Sequence, residues 1–416
     1  MTDPGSIVHD GGVIGPSELN ERLSRFTAEN HPPVGGIYPI LDGNATDALV
    51  ALVAVREAGG VPLVGDSRWS AEYWAAVSSH AKAKDVGSTT AWATFSSGSS
   101  GAPRVILRSA ASWSESFAAV TALLELTPDD VVYVPAPLAS SLTLFSVAHA
   151  RSVGASILLP SRQAPSTDHL TRATVVHATP QSLRAIADMI EGGATHTIRV
   201  ALVGGDHLDH AVRRRCATLG IRVIGYYGAA ELSFVAIDDD GHGLRPFPGV
   251  QTRIAGGELW VRSAFLASGY LGDEQGPLRV DGEGWGTVGD RADTDSSGRL
   301  RLRGRVDDAI LTSSATVIPH EVEEALRGIA GVDEAVVFGL PNQITGALVA
   351  ALVQISPSGS RPSAAQLREQ AAARLPLTHI PRQWFCTEHI PRTSTGKAAR
   401  SLIRRDALDK KTQRLD

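Results

Sequence analysis

Between Gly35 and Asp66 the chain reads GGIYPILDGNATDALVALVAVREAGGVPLVGD: a short apolar run, a polar turn, apolar residues at helical spacing, a glycine pair and a second apolar run. Strand, helix and strand in such a stretch is βαβ grammar, because parallel strands need a crossover between them. The pattern returns in DDVVYVPAPL followed by SLTLFSVAHARSVGASILLP, in TRATVVHATPQSLRAIADMI, and in THTIRVALVGGDHLDHAVRRRCATLGIRVIGYYG. The expected fold class is α/β, a large N-terminal domain of mainly parallel, helix-covered sheets, with ligands gathering at the carboxyl ends of the strands.

After about Asp240 the texture changes. GVQTRIAGGELWVRSAFLASGYLG and DSSGRLRLRGRVDD alternate and turn like antiparallel hairpins, giving the large domain a small β-subdomain. From IPHEVEEALRGIAGVDEAVVFGLPNQITGALVAALVQI onward a smaller α+β unit is expected: helix, strand, loop, strand, a helix from about Ser363, a proline-broken loop and a basic helix. SPSGSRPS at 356–363 reads as a flexible loop inside that unit. The expected boundaries are 1–305 for the large domain and 306–416 for the small, mobile one. No fixed-period repeat is visible.

Composition excludes several classes. Hydrophobic residues make up 43% and charged residues 20%, a globular balance. A formal charge of -5 gives nucleic acid no electrostatic invitation. Two cysteines, Cys216 and Cys386, form neither a disulfide framework nor a metal cradle, which fits a reducing compartment. There is no basic-then-apolar leader and no apolar run of membrane-spanning length, so no membrane span and a cytoplasmic location are expected.

The stretch TFSSGSSGAPR, 94–104, follows an apolar run directly. Glycines let successive backbone N–H groups converge on an anion and serine hydroxyls add donors, so the stretch suits a phosphate. A flexible Gly/Ser turn is the plainer reading, and the GK[ST] ending of a P-loop is missing.

Taken together, TFSSGSSGAPR, YYGAAEL, GELWVRSAFLASGYLG, GWGTVGD, GRLRLRGRVDDAI and IPRTSTGK resemble, in order and spacing, the core motifs of the acyl-adenylate-forming superfamily. That superfamily comprises acyl-CoA synthetases, adenylation domains and luciferases. The resemblance covers roughly residues 90–400. It implies that a carboxylate attacks the α-phosphate of Mg-ATP to give acyl-AMP and pyrophosphate, after which a thiol displaces AMP. Ser96, Ser97, Gly98, Ser99, Ser100 and Gly101 match the loop that cradles the β- and γ-phosphates, with Arg104 at its end. Glu231 matches the Mg2+-linked glutamate, and a hard cation bridging phosphates wants one or two carboxylates. Tyr227, with Gly228 and Ala229, matches the adenine-side turn. Asp290 matches the ribose aspartate, an acceptor for two hydroxyls at once. Arg305 resembles the arginine on the same ribose, Asp307 the hinge, and Lys397 the mobile lysine that neutralises charge growing between carboxylate and α-phosphate.

Four positions depart from the family pattern. Ala230 stands where threonine is usual, Arg104 replaces lysine, and Ser313 and Ser314 replace glycines of a loop lining the thiol tunnel. Fewer residues than usual precede the phosphate loop. The segment VPAPLASSLTLF lacks the aspartate with which amino-acid-activating relatives hold an α-ammonium, and burying that cation unpaired is unfavourable. An uncharged aliphatic or aromatic acid is therefore expected, lined by Leu138, Ala139, Ser140 and Gly204, with Gly205 and Asp206 towards the adenine. Expected cosubstrates and partners are ATP, Mg2+ and a small carboxylic acid. CoA is the preferred acceptor, with carrier-protein phosphopantetheine or an amine as alternatives. From another class, a nucleotide- or acyl-binding scaffold without turnover stays open. A serine hydrolase lacks its GxSxG elbow, and HLDH at 207–210 lacks a third zinc ligand.

Overall fold

The computed structural model describes residues 2–41, 43–96, 104–160, 164–206, 208–272, 274–305, 310–312, 316–342, 346–355, 361–393 and 397–415. The repeating strand–helix units build two large sheets. One has nine strands, in the spatial order Arg245–Pro246, Ser233–Asp238, Arg222–Ala229, Val200–Val203, Val175–Ala178, Val131–Tyr133, Ser156–Leu158, Ile7–His9 and Gly12–Ile14. Its six central strands, from Arg222–Ala229 to Ile7–His9, run parallel, with antiparallel strands at both edges. The other has five strands, ordered Gly269–Tyr270, Val105–Ser109, Thr90–Phe95, Val61–Gly65 and Ile37–Leu41.

Strand residues of the nine-stranded sheet alternate between its faces, as the two-residue period requires. Val175, Val200, Leu202 and Ile224 enter the main core, whereas Val176, Ala178, Ala201 and Val203 enter a second cluster on the opposite face. The main core also takes in Ala48–Val55 of the helix Ala45–Glu57, a segment buried residue after residue. That helix is started by Asn44, whose side chain accepts from the N–H groups of Thr46 and Asp47.

The expected antiparallel subdomain is present as a six-stranded sheet between Gln251 and Arg305. The segment Gly269–Tyr270 leaves it and pairs instead with Val105–Ser109 of the five-stranded sheet. The smaller unit contains the strands Val332–Asn342, Gly346–Ile355, Gln383–Thr387 and Gln413–Arg414 and the helices Pro319–Arg327, Ala364–Ala372 and Arg400–Leu408. Gln383–Thr387 lies where a proline-broken loop was expected, and pairs parallel to Gly346–Ile355. The helix expected from Ser363 begins there, with Ser363 and Gln366 in a capping box. The architecture is α/β with a separate α+β unit, as expected. Among the described residues no helix is long and apolar enough to cross a membrane.

Candidate active site

The serine–glycine stretch joins two antiparallel strands, Thr90–Phe95 and Val105–Ser109. Its neck is closed twice: the Ser96 N–H donates to the Arg104 carbonyl at 2.9 Å, and the Arg104 N–H donates to Ser96 Oγ at 3.0 Å. Residues 97–103, and with them Ser97, Gly98, Ser99, Ser100 and Gly101, lie outside the described residues.

The strand leaving this neck leads to Glu231. Tyr270 pairs with Ile106 across the ladder, and its hydroxyl donates to Glu231 Oε1 at 3.0 Å while accepting from the Leu278 N–H at 3.1 Å. Burial first, and then the charge of Glu231, hold the Tyr270 phenol well above the ordinary tyrosine range. The Glu231 carbonyl accepts from the Ala267 N–H at 2.7 Å. Glu231 is buried, and among the described residues its second oxygen, Oε2, takes no hydrogen bond.

The turn carrying Glu231 is built by Arg222–Ala229 doubling back into Ser233–Asp238, with a register shift between Tyr227 and Gly228. A methyl group on Gly228 would overlap the Ser233 carbonyl oxygen, so the turn admits only glycine there. Tyr227 then points across to Asp290 and donates its hydroxyl to Oδ2. Asp290 in turn is register partner to Arg305 in the next strand. The neck of the serine loop, Tyr270, Glu231, Tyr227, Asp290 and the backbone of Arg305 thus form one connected wall.

Family models of the AMP-binding enzyme match residues 83–271, and of the AMP-binding enzyme C-terminal domain residues 321–397. The chain belongs to the acyl-adenylate-forming superfamily. Among curated relatives it is 28% identical over 334 residues to the uncharacterized acyl-CoA ligase YhfT of Bacillus subtilis, covering 75% of this chain and 67% of that protein. It is 32% identical over 234 residues to a probable 2-succinylbenzoate–CoA ligase of Mycobacterium tuberculosis, covering 55% of this chain and 59% of the relative. The structure of ATP-bound MatB from Rhodopseudomonas palustris superposes with a TM-score of 0.83 at 20% identity, over 99% of this chain and 97% of MatB.

In this acyl-adenylate-forming chain, the residues expected beside the acyl group are packed: Leu138, Ala139 and Ser140 are buried. Ser140 is the N-cap of the helix Ser141–Val153, accepting from the Thr143 N–H at 3.1 Å. Gly204 lies under the Tyr226 ring, so closely that a side chain there would collide with it, and Gly205 turns away at φ +95°, leaving Asp206 exposed. Tyr226 faces opposite to Tyr227, towards His177, whose Nε2 lies 3.0 Å from the phenol oxygen; Nδ1 lies 2.6 Å from Ser146 Oγ. The Ser146 hydroxyl also reaches the Leu142 carbonyl at 2.8 Å, so donation there leaves Ser146 to accept from His177 Nδ1–H and His177 Nε2 to accept from Tyr226.

The Lys397 ammonium has no partner among the described residues, and its carbonyl accepts from the Thr393 N–H at 2.7 Å. Asp307, Ser313, Ser314 and His207 lie outside the described residues, as does the Arg305 side chain. Sequence reasoning missed Tyr270, although it sits in the quoted ASGYLG, and it missed Arg108, Tyr226 and His177. The signal for Arg108 was a cation placed in the apolar run RVILRS.

Proposed function

We propose that the protein activates a compact, uncharged carboxylic acid with ATP and transfers the acyl group to a thiol, with CoA as the preferred acceptor. The observation that supports this reading is the set of contacts in which Tyr270 bonds Glu231 and Tyr227 bonds Asp290, on segments joined through strand pairing to the strand that leaves the closed neck of the serine loop. In the first step a carboxylate oxygen bonds to the α-phosphorus as the bond to the pyrophosphate oxygen breaks. In the second a thiol sulfur bonds to the acyl carbon, the bond to the AMP oxygen breaks, and the thiol proton leaves to water.

Glu231 suits Mg2+ through its unpartnered Oε2, and among the described residues there is no cluster of three histidine, cysteine or acidic side chains for a metal needing a full protein cage. A hard cation of this kind completes its shell with phosphate oxygens and water, and when bound neutralises charge on the triphosphate. Asp290 would hold the ribose and Tyr227 flank the base. The unpaired Lys397 is free to meet the carboxylate as charge moves onto the α-phosphate.

The choice of acid follows from the acyl side. Tyr226 fills the space over Gly204, favouring short or flat acids over long chains. Burial keeps His177, the partner of Tyr226, at about 3, so it is uncharged near neutrality and suits an uncharged tail. The test is acid-dependent pyrophosphate release across a panel of carboxylic acids, followed by mass spectrometry with CoA, carrier-protein phosphopantetheine or amines. Release with short or aromatic acids and a CoA thioester product are expected; a panel with no release overturns the reading.

A further inference from the structure

We propose that Arg108 is a positioning residue for adenylation: its guanidinium pins the turn that carries Glu231 by holding the backbone carbonyls on either side of it. The inference rests on the adenylation reading above. Arg108 lies in the strand Val105–Ser109 and is fully buried. Its Nη1 donates to the Ala230 carbonyl at 3.1 Å and reaches the Glu231 carbonyl at 3.4 Å, and its Nη2 donates to the Phe265 carbonyl. The guanidinium stacks 5.5 Å from the Trp113 ring centroid.

Packing alone does not explain a cation here. Nε has no partner, and none of the described carboxylates is hydrogen-bonded or ion-paired to Arg108. Moving a charge out of water into this setting is strongly unfavourable, and an aliphatic side chain of similar reach would fill the space without that penalty.

The contacts explain what the guanidinium does. Ala230 has no hydroxyl with which to anchor the turn, and Arg108 anchors the same residue through its carbonyl. The strand that carries Arg108 also starts at the loop neck and pairs with the segment carrying Tyr270. Arg108 and Tyr270 thus grip Glu231 at its backbone and at its carboxylate.

The test uses the full chain with Arg108→Lys and Arg108→Gln, folding checked by circular dichroism. Calorimetry measures the affinity for α,β-methylene ATP with and without Mg2+, and turnover is followed by pyrophosphate release. The neutral Arg108→Gln is expected to raise the Mg2+ concentration for half-saturation about tenfold or more, with the acid's KM little changed and Arg108→Lys intermediate. In a Glu231→Gln background the effect on Mg2+-dependent analogue affinity should vanish, because one group acts through the other. An unchanged Mg2+ requirement in a folded variant, or effects that simply add, overturns the inference. If no acid supports pyrophosphate release but the affinity cycle still shows coupling, it is the adenylation reading that fails and the Arg108–Glu231 link that stands.

Discussion

Gly228 is the residue on which the site turns most sharply. Its missing side chain lets the Ser233 carbonyl approach, and Ser233 itself is left-handed at φ +58°. Gly228→Ala is expected to abolish pyrophosphate release and to destabilise the domain by roughly 1–3 kcal/mol through a forced backbone shift, read by activity and by denaturant melts. One position earlier, Tyr227→Phe removes a hydrogen bond to the Asp290 carboxyl group. Such bonds are worth roughly 1.5–3 kcal/mol, so the KM for ATP should rise by about tenfold or more while the acid's KM holds. Tyr226→Ala should act on the other substrate, extending acceptance to longer acids without changing the KM for ATP. A specificity profile that does not lengthen would remove Tyr226 from the acyl pocket. These residues differ in how readable they were. Tyr227, Glu231 and Asp290 stand in ordered motifs, whereas Tyr226 and Arg108 gain meaning only from neighbours far away in sequence: Gly204 and His177 for one, Ala230 and Phe265 for the other.

The helix Ser141–Val153 carries a buried polar line that sets a pH dependence. Its Ser146 meets His177, and its His149 meets Thr121 Oγ1 at 2.8 Å. Desolvation holds His177 at about 3 and His149 at about 4, while the unfolded chain titrates near ~6.5. Between those values the unfolded state binds more protons than the folded one. The stabilisation is complete above ~6.5, declines as pH falls through the window, and levels off below about 4 and 3. Thermal midpoints measured from pH 7 to pH 4 should therefore fall, and His177→Gln should flatten that fall; parallel curves would show that His177 does not contribute. Elements such as Ala45–Glu57 were legible because apolar spacing, an Asn44 cap and glycine stops agree. Gln383–Thr387 was not, because prolines flank it and its pairing partner Gly346–Ile355 is separated from it by a helix. Nothing local announced that Gly269–Tyr270 would pair with a strand more than a hundred residues earlier.

Across the whole molecule, hydrophobic clusters divide cleanly: those built from residues up to Leu300 share no member with those from Ile310 onward. Calorimetry of the free protein is expected to resolve two transitions, and a saturating ATP analogue with Mg2+ should raise the first set's midpoint selectively, by about 2.7 kcal/mol of stability at a hundredfold excess over Kd. Lys397→Ala should leave that shift intact while lowering pyrophosphate release by about 10²–10³-fold. A single transition would count against separate melting of the two sets, and a variant that loses binding would count against Lys397 acting only on the chemical step. The antiparallel subdomain was visible in the change of texture after Asp240, but its stitching to the five-stranded sheet was not. The crossing of Gly269–Tyr270 into the five-stranded sheet carries an engineering rule: the antiparallel subdomain cannot be exchanged as a cassette between homologues. A recombinant junction on either side of it imports a foreign edge strand and a foreign phenol, so productive chimeras must transplant that dipeptide together with Val105–Ser109, its host.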